Sequence, residues 1–303
     1  MKQEKTSKKL KKLTLAILAG VFLFLSWLNF PFHTTFTVFA QKPYLQNATK
    51  TPKKDLLLSR FTTYFDENNI PRTHNIRLAC QFLDGCKIES GEQFSFNLAV
   101  GKRTKERGFA DAPVIFEGAF VLGTGGGVCQ VSTTLYNAAL IAGMGITEVH
   151  PHSLQVGYAP PSLDAMVSSV SDMKFVNATK AAVAIRMYAD KNSVTAEIYG
   201  KSTGYRYTAE SVTLCTVPPP APEIIEGDED CTVKQQKDGL KSESYLTYYR
   251  HGKKIKSVRI RRDTYAYIRG IEQKKPVQTP YEGIQERKTQ EESNSFEKFT
   301  QND

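Results

Sequence analysis

The sequence predicts an α+β fold, an antiparallel β-sheet with a few helices, followed by a small β-hairpin module. Apolar and polar residues alternate in MKFVN, AVAIRMYA and VTAEIYG, a pattern typical of paired antiparallel strands. Helical segments are interspersed irregularly among the strands, which favours α+β over a doubly wound sheet. The charged and hydrophobic fractions, 23% and 40%, are ordinary for a globular protein.

Residues 1–40 are predicted to be a signal peptide or an N-terminal membrane anchor. Six lysines in residues 1–12 precede LTLAILAGVFLFLSWLNFPF, which is long enough to cross a hydrocarbon core of about 30 Å as a helix. The lysines favour a cytoplasmic N-terminus. We therefore expect the remainder either to be an extracytoplasmic domain anchored in the cell membrane by this segment, or to be secreted to the cell wall. Ala40 ends a possible cleavage motif, and both alternatives stay open.

This leader also bears on partners. It holds +5 of the net charge of +9, so the basic excess does not by itself indicate nucleic acid. No nucleotide cofactor is expected outside the membrane. The leader predicts a membrane contact instead.

The elements follow in order along the chain. A polar linker, residues 41–54, leads to a strand at LLLSRFTTYF and a turn at DENNIP. Thr73 is a plausible N-cap for a helix through NIRLACQFLDG that stops at Gly85. A strand is predicted at FSF, residues 94–96, and a hairpin at VIFEGAFVL with Glu117-Gly118 at its turn.

The next helix begins near Gln130 or Val131, within GTGGGVCQVSTTLYNAAL. Strands are predicted at ITEVHPHSLQV, at MVSSV and at the three alternating segments, which completes a domain over residues 55–200. Residues 201–230, which include VPPPAPEIIEGDED, are predicted to be a Pro-rich, acidic linker.

Residues 231–275 are predicted to form a small basic β module. From 232 to 275 there are thirteen Lys/Arg against four Asp/Glu, with a hairpin turn at His251-Gly252. The tail, residues 276–303, is polar and predicted to be disordered.

The glycine loop carries the candidate chemistry. Its spacing matches neither a nucleotide P-loop nor a dinucleotide fingerprint, because Val128 and Cys129 follow Gly127. Cys129 instead falls at a helix N-terminus, where free N–H groups and the helix dipole favour a thiolate.

Chain geometry allows a histidine to reach this cysteine. The helix is roughly 20 Å long at 1.5 Å per residue. A strand that returns from Ile146 at about 3.3 Å per residue brings His152 level with Cys129, and His150 falls short. Asp164, after a Pro160-Pro161 turn, is in place to orient the imidazole as the third member of a triad.

Each of these residues also has a structural interpretation. Cys129 in a glycine-rich turn is a small buried hydrophobe, and His152-Ser153 hydrogen-bonds the loop backbone. Asp164 is then a turn residue. Ser132 is a helix cap rather than a nucleophile. Zinc binding by Cys129, His150 and His152 does not match a known spacing, and neither metal nor cofactor is predicted.

The five cysteines leave two alternatives open. Cys80 with Cys86, and Cys215 with Cys231, are feasible disulfides in an oxidising compartment, which would leave Cys129 unpaired. Alternatively, all five are reduced thiols.

Eight segments, in order FTTYF, HNIRLA, GEQFSFN, VGKRT, APVI, GGGVCQVSTTLYNAAL, HPHS and IYG, resemble the VanW domain over residues 56–200. The basic C-terminal segment is similar to the short β segment that follows VanW domains and to G5-type modules. The resemblance implies a cell-envelope protein near peptidoglycan in a Gram-positive or related bacterium. It does not specify a reaction.

The family's motif residues are carried over by position. At Pro161-Ser162-Leu163-Asp164 the sequence departs from the family, where Gly-Arg usually precedes the aspartate. The carried-over residues are Asn75, Arg77, Ser95, Asn97, Arg103, Thr104, Gly125, Gly126, Gly127, Cys129, Gln130, Ser132, His152, Ser153 and Asp164.

Three functions follow as hypotheses. The first is binding of a peptidoglycan component or other cell-wall polymer through the GGGVCQVS loop. Its candidate ligand-binding residues are Gly125, Gly126, Gly127, Gln130, Ser132, Arg103, Thr104, Asn97, Arg77 and Ser153. The second is a peptidoglycan amidase, peptidase or transpeptidase that uses Cys129, His152 and Asp164, in which Arg103 or Arg77 binds a substrate carboxylate. The third is a non-catalytic envelope scaffold.

Overall fold

The computed structural model describes residues 55–116 and 118–275. The expected leader or anchor (1–40), linker (41–54) and tail (276–303) therefore lie outside the described residues. Across those two ranges, no helix has the length and apolar character needed to span a bilayer.

The described residues form three α-helices and fifteen strands, which confirms the α+β prediction. In chain order these are β1 (Leu56–Tyr64), α1 (Ile70–Leu83), β2 (Lys87–Ile88), β3 (Gln93–Ser95), α2 (Phe96–Val100), β4 (Asp111–Phe116), β5 (Ala119–Thr124), α3 (Val128–Ile141), β6 (Gly145–Glu148), β7 (Lys174–Val176), β8 (Val183–Ala189), β9 (Ser193–Gly200), β10 (Tyr205–Val217), β11 (Glu223–Glu226), β12 (Cys231–Lys234), β13 (Gly239–Arg250), β14 (Lys253–Tyr265) and β15 (Ile271–Lys274).

The strands form five small sheets. A four-stranded antiparallel sheet has the order β1-β9-β8-β2, and β3-β7-β6 and the β4-β5 hairpin complete the first part of the chain. Two further sheets, β10-β13-β14 and β11-β15-β12, come from the C-terminal part. Only the β11–β15 pair among these strands is parallel.

Helix α3 is the centre of the core. Val131, Leu135, Ala138 and Ala139 are fully buried against the apolar face of the four-stranded sheet. A polar contact also fixes the position of the helix relative to β1, since Ser59 Oγ donates a hydrogen bond to Ala138 O at 2.7 Å. The helix is therefore a rigid support for whatever its N-terminus presents.

Helix α1 begins earlier than the sequence predicts. Asn69, rather than Thr73, is the N-cap, and its side chain accepts a hydrogen bond from Arg72 N at 3.2 Å. Pro71 in the first turn fits this start, because proline lacks the N–H that the first turn leaves unpaired. The earlier start adds Arg72 to the helix.

The predicted strands in the region between β6 and β7 are largely absent. ITEVHPHSLQV pairs only over β6, and MVSSV contributes a single bridge between His150 and Met166. Three prolines interrupt this region, and proline cannot donate to a strand ladder. The segment that carries His152 and Asp164 is therefore an ordered loop.

The expected linker over residues 201–230 requires correction. Tyr205–Val217 is a thirteen-residue strand, paired with β13 along its whole length, and Glu223–Glu226 is a further strand. The Pro-rich, acidic run that suggested a linker is confined to residues 218–230, which follow β10, so it carried no information on Tyr205–Val217. The predicted turn at His251-Gly252 is present, with φ of 48° and 76°.

The cysteines are free thiols in the structure, so neither of the two considered disulfides is formed. Cys80 and Cys86 are buried in the core, and this burial raises the pKa of each thiol to about 12. Cys215 and Cys231 are exposed on separate sheets.

Candidate active site

Cys129 lies in the first turn of α3, directly after the glycine turn. Gly127 is the N-cap of α3 and has a φ of 102°, which only glycine adopts without steric cost. The side chain is half-buried, and in its thiol form Sγ donates a hydrogen bond to Val167 O at 3.4 Å. Because a helix N-terminus favours negative charge, this position stabilises a thiolate.

His152 faces Cys129 from the loop after β6. Its side chain is 5% exposed, and Asp164 Oδ2 accepts hydrogen bonds from both Nδ1 and the backbone N of His152 at 2.7 Å. An ionised carboxylate only accepts, so Nδ1 carries a proton. Nε2 is therefore the ring nitrogen left for the hydrogen bond between His152 and Cys129. Tyr158 Oη is 3.4 Å from the same Nε2.

Asp164 lies behind His152 and is fully buried. Tyr265 Oη donates to Oδ1 of Asp164 at 2.5 Å and accepts a hydrogen bond from Ser162 N at 2.6 Å. Arg261 Nη1 donates to Asp164 O at 2.5 Å. Both residues come from β14, so the C-terminal sheet holds the third member of the constellation.

The three groups shift one another's protonation. Burial raises the pKa of the Cys129 thiol, but the hydrogen bond and charge of His152 outweigh it, so the pKa is lowered. Burial likewise opposes the imidazolium, and yet Asp164 and Cys129 together raise the pKa of His152 to about 9. The pKa of Asp164 is lowered despite its burial, because His152 and Tyr265 donate to it. These shifts favour a thiolate–imidazolium pair at neutral pH.

Cys129 and His152 open onto a cleft of about 790 Å³. Backbone of the glycine turn, the β4–β5 hairpin and the loop after His152 line it. Three cationic side chains, Arg72, Lys102 and Arg103, border this cleft, and no acidic residue of the described chain does. Asp164 does not reach the cleft surface.

The predicted binding residues separate into three groups. Those that line the cleft are Asn97, Arg103, Thr104, Gly125, Gly126, Gly127 and Gln130. Arg77 is exposed on α1 and Ser153 is exposed in its loop, and neither lines the cleft. Ser132 is buried and donates to Ala165 O at 2.5 Å, so it fixes the backbone next to Asp164.

Two amide side chains orient the arginines of the cleft. Gln130 Oε1 accepts from Arg72 Nη2 at 2.5 Å, while Gln130 Nε2 donates to Thr63 and to the backbone of Tyr64. Asn97 Oδ1 accepts from Arg103 Nη1 at 2.7 Å. The sequence analysis missed Arg72. Asn69 as an N-cap followed by Pro71 in the first turn would have predicted the earlier helix start and so placed Arg72 on the helix.

Two backbone N–H groups at the start of α3 already donate to carbonyls of the glycine turn. Val128 N donates to Gly125 O at 3.1 Å and Gln130 N donates to Gly127 O at 3.0 Å. Among hydrogen bonds within the described ranges, none involves the N–H of Cys129. This N–H is therefore a donor available to an oxyanion formed on a substrate carbonyl.

Fold and site together define a class, an α+β domain in which a glycine-capped helix presents a cysteine to a histidine–aspartate pair. Residues 71–199 match the family model described as "VanW like protein". The chain therefore contains a VanW-family domain. Cys129, His152 and Asp164 all lie inside the matched residues, whereas Arg261 and Tyr265 lie beyond them.

Two curated relatives support this assignment. "Uncharacterized protein YoaR" of Bacillus subtilis is 39% identical over 143 residues, which cover 47% of this chain and 47% of the relative. "Vancomycin B-type resistance protein VanW" of Enterococcus faecalis is 27% identical over 145 residues, which cover 46% of this chain and 52% of the relative. The matches thus span about half of each relative. No solved structure matches the chain.

Proposed function

We propose that the chain is a cysteine-dependent acyl-transfer enzyme of the cell envelope that acts on peptide amides of peptidoglycan. One observation carries the proposal, namely that Cys129 at a helix N-terminus faces a histidine whose Nδ1 is bound by the buried Asp164. This arrangement activates a thiol nucleophile in the manner general to cysteine–histidine sites.

The residues assign the steps of the reaction. The Cys129 thiolate attacks the amide carbonyl, and the N–H of Cys129 stabilises the resulting oxyanion. His152 gives its Nε2 proton to the leaving amine as the C–N bond breaks, which leaves a thioester on Sγ. Water or a second amine then attacks the thioester, His152 takes up the proton of this nucleophile, and the thiolate is released.

The proposed location is outside the cytoplasmic membrane, in contact with peptidoglycan. The lysine-flanked apolar segment in residues 1–40 supports export. One relative is named a vancomycin resistance protein, which supports a role near the cell wall.

Binding without catalysis remains the second candidate. The glycine turn, Asn97 and Arg103 line an open cleft suited to a peptide. A function in binding alone, however, does not require that a buried Asp164 orient His152 next to the Cys129 thiol.

The test is product release from muropeptides by the full chain, followed by mass spectrometry. Cys129→Ala should abolish release, whereas Cys215→Ala, which removes an exposed thiol outside the cleft, should not. A hydrolysed product would indicate a peptidase or amidase, and a cross-linked one a transpeptidase. Wild-type chain that binds muropeptides without releasing any product would contradict catalysis and favour binding.

A further inference from the structure

We propose that the cleft takes a substrate with a free carboxylate close to the reacting amide, and that Arg72 and Arg103 bind this carboxylate. The inference rests on the proposed acyl transfer and specifies its substrate class. The carboxylate is either the C-terminus of a peptide or an acidic side chain.

The charge of the cleft is the first observation. Arg72, Lys102 and Arg103 line it without any acidic neighbour in the lining. Within residues 55–116 and 118–275, no ion pair involves these three cations. Asp66 lines a smaller adjoining cavity of about 260 Å³ together with Arg72, but its carboxylate accepts hydrogen bonds from Asn68 instead.

The second observation is that both guanidinium groups are held in place with donors to spare. Arg72 gives one hydrogen bond, to Gln130, and Arg103 contacts Asn97 at 2.7 Å and Gly101 O at 3.4 Å. A guanidinium has five N–H donors, so most of them stay available on each side chain. Fixed planar donors of this kind suit a carboxylate.

Burial adds a reason for an anionic ligand. Arg72 and Arg103 are half-buried, and this burial lowers the pKa of each guanidinium. Cys129, and for Arg103 also Asp172, offset only part of this burial, because the pKa of each guanidinium stays lowered. A bound carboxylate would offset more of the cost of desolvating the two cations.

Both arginines are also electrostatically coupled to Cys129. The thiolate raises the pKa of each guanidinium, and Arg103 in turn lowers the pKa of the thiol. Both side chains also pack against the glycine turn that leads into Cys129, since a Cβ at Gly125 would lie 3.0 Å from Arg103 Cβ and one at Gly127 would lie 2.9 Å from Arg72 Cγ. A carboxylate bound by these arginines in the cleft therefore lies close to the sulfur. This places it near the amide that the sulfur attacks.

The experiment compares two alkylating reagents of nearly equal size on the full chain. Iodoacetate carries a carboxylate and iodoacetamide a neutral amide, and in each case the Cys129 sulfur displaces iodide. The iodoacetate-to-iodoacetamide rate ratio at Cys129 should exceed the ratio at exposed Cys215 by about tenfold or more, as expected for a charge-assisted hydrogen bond.

Substitutions then locate the effect. Arg72→Gln and Arg103→Gln should each lower the ratio toward that of Cys215, and Arg103→Lys should retain part of it. Arg77→Gln is the matched control, because Arg77 is exposed on the same helix as Arg72 and outside the cleft. A ratio that persists in both glutamine variants would assign the effect to the general charge of the protein and overturn the inference.

The outcomes separate this inference from the proposed function. If Cys129 reacts readily near neutral pH but without preference for iodoacetate, the carboxylate site is wrong and acyl transfer stands. If Cys129 is inert to both reagents below pH 9, acyl transfer itself is wrong.

Matched peptides identify the source of the carboxylate by protecting Cys129 from iodoacetamide. Protection by acetyl-Ala-Ala, but not by its amide, indicates a C-terminal carboxylate. Protection by acetyl-Glu-Ala amide indicates an acidic side chain. Equal protection by the uncharged acetyl-Ala-Ala amide would overturn the inference.

Discussion

At the scale of single residues, the same chemical group behaves in opposite ways at different positions of this chain. Burial raises the pKa of the Cys80 and Cys86 thiols to about 12, and these cysteines act as small core hydrophobes. Burial also raises the pKa of the Cys129 thiol, but the hydrogen bond and charge of His152, together with Arg103, outweigh it, so this pKa is lowered. The difference comes from neighbours rather than from exposure.

The pKa of His152 sets an upper pH limit for product release. The active form is thiolate with imidazolium, and His152 keeps its proton until the pH rises through about 9. Release should therefore increase as Cys129 ionises below the usual thiol pKa of about 8.5 and fall again near pH 9. A pH–rate profile on muropeptides measures this. A rate that keeps rising through pH 10 would show that His152 is not the proton donor.

At the scale of elements, the glycine turn and α3 form one unit that could be predicted from sequence in outline. The helix length and the return of the chain after Ile146 predicted that His152 reaches Cys129, and the structure brings the two together. The start of α3 was two to three residues off, because an N-cap glycine leaves no side-chain signal. The return segment was predicted as a strand and is a loop.

Gly127 should be a sensitive position of this unit. A Cβ there would lie 2.9 Å from Arg72 Cγ and 3.0 Å from Ile76 Cγ1, in addition to the strain of φ 102°. Gly127→Ala should lower the free energy of unfolding by about 1–3 kcal/mol or more.

Gly91→Ala is the matched control in urea unfolding, since Gly91 has a φ of 77° but nothing within 4 Å of its Cβ position. The control isolates backbone strain from close approach. Equal losses in the two variants would show that the turn does not depend on its tight packing against α1.

At the scale of the whole molecule, the C-terminal sheet completes the site. Tyr265 and Asp164 are 101 positions apart in sequence, and their contact depends on the register of β13 with β14 and on how that sheet meets the core. Local patterns carry no information on such a contact, so the sequence placed Asp164 beside His152 but gave no sign of Tyr265. One strand of this sheet, β10, also lies within the residues that the sequence analysis predicted to be a linker.

Tyr265→Phe should lower activity but leave the packing of the core intact, because phenylalanine keeps the aromatic ring. It removes the hydroxyl that donates to Asp164 Oδ1, so the carboxylate loses a fixed partner and the pKa of Asp164 rises. Product release should fall by about tenfold, as expected for a hydrogen bond to a charged group. Tyr267→Phe, at an exposed position two residues later, should have no effect. Identical pH–rate profiles for the two variants would contradict the positioning role of Tyr265.

The rate at which iodoacetamide alkylates Cys129 across pH, followed by peptide mass spectrometry on the full chain, tests the central claim most directly. The account predicts that Cys129 reaches half of its maximal rate well below the ordinary thiol pKa of about 8.5. His152→Gln should move that midpoint upward, because the imidazolium that lowers the pKa of the thiol is gone. A Cys129 that stays unreactive below pH 9 in the folded wild-type chain would mean a structural cysteine and would contradict the account.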